Sequence, residues 1–295
     1  MNVFLRRIMP AALLGLTITT TAFPVELVDM ARSVADKAQK TVVGIRVIIK
    51  LKLGNGQDQE EKLEVLGTVI DPSGLTVADA TSVDPTDMIR ALTGNKGIEA
   101  EVKETTLIMD DGTDVEADLV LRDTDLGLAF IRPRDASKKF DAITLKAHAK
   151  PAELLDGIFV VGRAGKLANR SLSVKTGKIE SIVKGPRTYY ISDGELSAHS
   201  GCMAYGADGE ALGLIVIKYQ QQAETGGNLQ HMMGGGDTEI RIVRPVDDII
   251  EIAAQAKTAK VPEKKPDEKK TDVKDKADSL IEPGPKPDQP KLEDK

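Results

Sequence analysis

The sequence predicts an all-β fold with one helix at each end. Three observations carry that expectation. The composition holds 26 Gly, 5 Phe, 4 Tyr and no Trp among many Val, Ile and Thr, a mixture suited to strands and tight turns. Short β-branched or alternating runs recur between Gly, Asp, Asn and Pro clusters from Thr41 to Val243. Helical spacing of apolar residues is read before the first of these runs and after the last.

In chain order, residues 1–22 read as an export signal. Arg6-Arg7 precede an apolar run from Ile8 to Thr19, and Thr20-Thr21-Ala22 supply small residues for cleavage. The run is short and Thr-rich for an uncleaved membrane anchor. The expected location is therefore periplasmic or secreted. A single cysteine, Cys202, leaves no intramolecular disulfide, so the core must supply the stability. No Cys/His cluster suits zinc, and no metal or cofactor is expected. The formal charge is −6; without Arg6 and Arg7, and with ten Lys balancing ten acids in 259–295, the body 23–258 carries about −8. That balance argues against a nucleic-acid surface.

The first helix is expected over Pro24 to Gln39, with Val25, Leu27, Val28, Ala31, Val34, Ala35 and Ala38 on one stripe. Thr41 to Leu53 and Leu63 to Ile70 read as a long hairpin around a polar turn at Gly54 to Glu61. Pro133 to Lys150 is a polar connection. Ser171 to Val183 and Thr188 to Ile191 are further strands. Gln220 to Asp237 is a loop rich in Gln, then Gly and Met, and Glu239 to Val243 is the last strand. Pro245 to Ala256 is the closing helix, with Pro245 pre-shaped for the first turn and Val246, Ile249, Ile250 and Ala253 on one face. From about Lys257 the chain alternates Lys, Asp, Glu and Pro without an aromatic residue, the composition of a disordered tail. The expected divisions are 1–22, 23–150, 151–257 and 258–295.

Three stretches carry a resemblance. Ser197-Ala198-His199-Ser200-Gly201-Cys202-Met203 runs through Asp208-Gly209 to the apolar Leu212-Gly213-Leu214-Ile215-Val216. Leu66-Gly67-Thr68-Val69-Ile70-Asp71-Pro72-Ser73-Gly74 leads through Leu75-Thr76-Val77 to Thr81. Asp123-Thr124-Asp125-Leu126-Gly127 precedes Leu128-Ala129-Phe130-Ile131-Arg132. Together, in this order, they resemble trypsin-like serine proteases of the HtrA/Deg type. The resemblance covers about 25–256 and implies two six-stranded antiparallel β-barrels with a site between them. The residues after 257 lack the apolar strands of the peptide-binding PDZ domain that often follows in that family.

The resemblance puts Ser200 at the nucleophile, Thr81 at the histidine and Gly127 at the aspartate. It gives the oxyanion-binding backbone to Ala198, His199 and Ser200, where Ala198 replaces a glycine. A serine hydroxyl needs a base to take its proton and an orienting carboxylate behind that base. Threonine is no base near neutral pH, and glycine has no side chain. Substitute bases are His231, His199 and, by a two-residue slip, Asp125; His148 lies in the connection. Cys202 reads as a small buried residue or, alternatively, a thiol nucleophile. The expectation is a protease homologue without proteolysis that binds an extended peptide or unfolded protein between its barrels, with an oligomer left open. The alternative is an active serine endopeptidase with a non-standard histidine base.

Overall fold

The computed structural model describes residues 25–52, 58–93, 97–148, 150–193, 199–219 and 239–261. The expected export signal, Ala198, the Gly/Met loop 224–238 with His231, and the tail beyond 261 lie outside the described residues.

Twelve strands form two closed antiparallel barrels. The first contains β1 (Val42–Lys52), β2 (Asp58–Val69), β3 (Thr76–Asp79), β4 (Glu99–Ile108), β5 (Asp114–Asp123) and β6 (Leu128–Pro133). They close in the order β1-β2-β3-β6-β5-β4. The second contains β7 (Gly157–Arg163), β8 (Leu172–Val183), β9 (Tyr189–Ser192), β10 (Met203–Gly206), β11 (Ala211–Tyr219) and β12 (Glu239–Pro245), closed as β10-β11-β12-β9-β8-β7. Each barrel makes a three-strand meander, crosses over, and returns with a second meander. This is the all-β architecture expected from the sequence, consistent with a chymotrypsin-like fold.

Among the described residues four α-helices accompany the barrels: α1 (Val25–Ala38), α2 (Ala80–Val83), α3 (Thr86–Thr93) and α4 (Val246–Thr258). The stripe of α1 buries Leu27, Ala31, Ala35 and Ala38 in one cluster with Ile158 and Val160 of β7. The helix therefore lies against the second barrel, although its sequence precedes the first. In α4 the buried residues are Val246, Ile249, Ile252, Ala253 and Ala256. Pro245 stands at the cap of α4 rather than inside its first turn.

The polar turn expected over Gly54 to Glu61 is shorter than expected, because Asp58 to Glu61 already belong to β2. The register explains it. Asp58 faces Lys52 and Glu60 faces Lys50, and Lys50 also meets Asp58 at 2.6 Å. Opposite charges across the pair hold the start of β2, Asp58 to Lys62, which has no apolar side chain.

Burial alternates along β1 from Ile45, with Ile45, Val47 and Ile49 inside the barrel and Arg46, Ile48 and Lys50 half-exposed. The run Leu128-Ala129-Phe130-Ile131 in β6 is apolar throughout because both of its faces are covered. Ala129 and Ile131 join the interior of the first barrel. Leu128 and Phe130 join a second cluster that includes Phe159, Met203 and Val216 of the other barrel. Phe130 is fully buried at this junction. Replacing it by alanine should cost about 3–5 kcal/mol. Urea unfolding checks this, with a lower midpoint and an unchanged slope as the expected result.

Candidate functional site

The residues around the expected site are set by one carboxylate. Asp79 ends β3 and caps α2, and it is wholly buried. Its Oδ2 accepts from Ser82 N at 2.9 Å and Ser82 Oγ at 2.5 Å. Its Oδ1 accepts from Ile217 N of β11 at 3.0 Å. One side chain thus shapes the turn that carries Thr81 and ties it to the second barrel. Asp-x-x-Ser is a legible cap signal, but the bond to a residue 138 positions away is not. The sequence reading missed Asp79 for that reason.

Thr81 sits in α2 and is buried. Gly127 has φ +73°, and its carbonyl accepts from Ala80 N at 2.9 Å. A β-carbon at Gly127 would meet Val216 at 3.5 Å, so space exists but the left-handed backbone disfavours a side chain. Asp123 pairs with Leu128, which makes Thr124 to Gly127 the turn of the β5–β6 hairpin. Asp125 is therefore on a turn, where a two-residue slip keeps no face; it is exposed. Asp125, Gly127 and Thr81 line one cavity of about 270 Å³, together with Arg122, Tyr219 and Arg244.

Ser200 is buried, and its Oγ has no hydrogen-bond partner among the described residues. His199 points elsewhere: its Nε2 meets Ser173 Oγ of β8 at 3.1 Å, and its Nδ1 has no partner among the described residues. The ring occupies the space left by Gly162, where a β-carbon would lie 2.2 Å from Cδ2. Burial, then Lys175, lowers the His199 pKa and favours the neutral ring. His148 uses Nδ1 on Lys150 O at 3.0 Å and faces Asp208 at 3.8 Å. Cys202 is fully buried, and burial pushes its thiol up to about 12, which suits a packing residue rather than a nucleophile.

The Ser-Gly corner has a structural reason to exist. Gly201 has φ +84°, and a β-carbon there would fall 2.0 Å from Leu66 O of β2. Its N–H donates to Ile215 O at 2.8 Å, and its carbonyl accepts from Thr68 Oγ at 3.1 Å. Arg244 adds another cross-link, with Nε on Leu126 O at 3.1 Å. Neither a scan against protein-family models nor a search of curated proteins finds a match for this chain.

Two predictions follow from these contacts. Gly201→Ala should destabilise by about 2–5 kcal/mol, combining left-handed strain with a backbone clash; thermal melting reads the loss. Burial pushes the Asp79 carboxyl above its ordinary value, against the pull of Ser82 and Ile217. The folded chain then holds a proton that the unfolded chain releases near pH 3.9, about the ordinary aspartate value. Its contribution to stability is fullest below that pH and is lost as pH rises through the folded value. Asp79→Asn cannot ionise, so the stability advantage of wild type over this variant should shrink from about pH 4 towards neutrality. Urea titrations across that range test it; an advantage that grows with pH would contradict the assignment.

Proposed function

We propose that this chain is an exported, trypsin-like protein of the HtrA/Deg type that does not cleave peptides. It uses the cleft between its barrels to bind an extended peptide or an unfolded segment. The observation that carries this reading is the isolation of Ser200, whose Oγ is buried without a partner among the described residues. His199 and His148 are engaged with Ser173 and Lys150 instead. Thr81 and Gly127 stand where the resemblance expects the base and its orienting carboxylate. Loss of the serine or histidine of such a triad costs about 10⁶ in kcat in the subtilisin series. With neither a base nor an orienting carboxylate bonded to Ser200 among the described residues, the chain is read as a binder. Strand addition gives affinity through main-chain hydrogen bonds with little demand on sequence, which suits an unfolded partner.

Fluorescein-labelled casein, an unstructured probe, should bind the full chain without the fluorescence rise that accompanies cleavage. A fluorophosphonate reagent should leave Ser200 unlabelled. Stoichiometric labelling that disappears in Ser200→Ala, together with casein turnover, would overturn the proposal.

A further inference from the structure

The cavity beside Thr81 has a charge pattern that the peptide-binding reading does not use. In the β11–β12 register, Val216 faces Ile242 and Leu214 faces Arg244. The even-numbered residues Val216, Lys218, Ile242 and Arg244 therefore share one face of the pair, and all four line the cavity.

Three cations reach this wall, but their states differ. Arg122 is committed to Asp84 at 3.3 Å and Asp87 at 3.0 Å. The Arg244 side chain is only 5% exposed, and its carboxylate contact, to Asp248, is long at 3.5 Å. Arg187 holds that same carboxylate at 2.7 Å. Lys218 is exposed, and its ammonium lies 5.6 Å from the centre of the Tyr189 ring. Among the described residues no carboxylate lies within ion-pair distance of Lys218. Thr81, Thr124 and Tyr219 are also among the lining residues, and among the described residues Asp125 is the one carboxylate there.

We infer that this cavity captures a carboxylate, presented either by an acidic side chain of a bound peptide or by a free dicarboxylate. Arg244 supplies a guanidinium shielded from water, where a charge-assisted hydrogen bond is strong. Lys218 supplies a second charge from the exposed rim. The hydroxyls of Tyr219 and Thr81 donate to the remaining lone pairs. Among the described lining residues a cationic ligand would find one carboxylate, Asp125, and a neutral one would leave Lys218 without a carboxylate partner. The inference goes beyond the reading above, because carboxylate capture does not depend on whether a peptide is cut.

Fluorescence anisotropy on the full chain tests it, with a fluorescein-labelled decapeptide carrying two adjacent glutamates and its diglutamine counterpart. The glutamate peptide should bind about tenfold more tightly, the scale of one well-placed charge contact. Lys218→Glu should erase that preference, and Asp125→Asn should enlarge it. Both side chains are exposed, so the fold should survive, and a circular-dichroism melt checks that. Displacement by glutarate would identify a free dicarboxylate as the source; failure to displace would identify the peptide. Equal binding of the two peptides, or a preference that neither variant changes, overturns the inference. Mass spectrometry of the recovered peptide reads cleavage separately: a cut peptide would sink the non-catalytic reading and leave carboxylate capture standing.

Discussion

The arrangement of the two barrels depends on a buried carboxylate that three donors satisfy. Burying a charged or polar group without partners is costly. Asp79 offsets part of that cost by taking two bonds from Ser82 and one from Ile217, and burial still raises its pKa. The bonds fix two things at once. They wind α2 and so orient Thr81, and they lock β3 against β11 across the junction. Thr68 on Gly201 and Arg244 on Leu126 brace the same seam. Further out, Arg163 reaches Val42 O at 2.7 Å, and Arg170 grips Glu64 at 2.6 Å. A junction held by so many polar ties is preorganised, so a ligand of the kind proposed would spend less of its interaction energy on ordering it.

The same ties give the protease-like motif a structural reason to exist that does not depend on its chemistry. Gly201 is required because the backbone of β2 passes where its β-carbon would be. Gly127 offers a carbonyl to Ala80, so it holds the hairpin against α2 without a side chain. His199 fills the hollow at Gly162 and bonds to Ser173, acting as a packing residue of the second barrel. Each position answers to the junction of the barrels before it answers to a reaction. A serine on such a corner can be kept by the geometry of its neighbours.

Much of the fold was legible because it obeys local rules. The two-residue period of β1, the helical stripe of α1 and the turn glycines at Gly74, Gly112 and Gly209, all with positive φ, follow from nearby residues. The start of β2 was misread because its four polar residues carry no periodicity; only the charges across the hairpin, on Lys50 and Lys52, stabilise it. The short helices α2 and α3 lie in a stretch for which the sequence carried no expectation of strand or helix. At the expected site, the sequence named Thr81, Gly127 and Ser200 but not their surroundings. The roles of Asp79, Thr68 and Arg244 arise from bonds spanning 138, 133 and 118 residues. No window of sequence contains both ends of such a bond.

Net charge and local charge point in opposite directions here. The body expected after export carries about −8, which repels an acidic ligand at long range. That repulsion is screened beyond a Debye length of about 8 Å at physiological salt. Inside the cavity the balance changes. Arg244 is almost shut from water, and among the described residues its carboxylate contact, Asp248 at 3.5 Å, is shared with Arg187 at 2.7 Å. In a site of low effective dielectric, a short contact with such a guanidinium outweighs the diffuse field of the surface. Capture is then set at contact rather than during approach, so added salt should relieve the long-range repulsion more than it weakens the buried contact. A surface-steered complex would behave the other way, losing affinity steadily as salt rises.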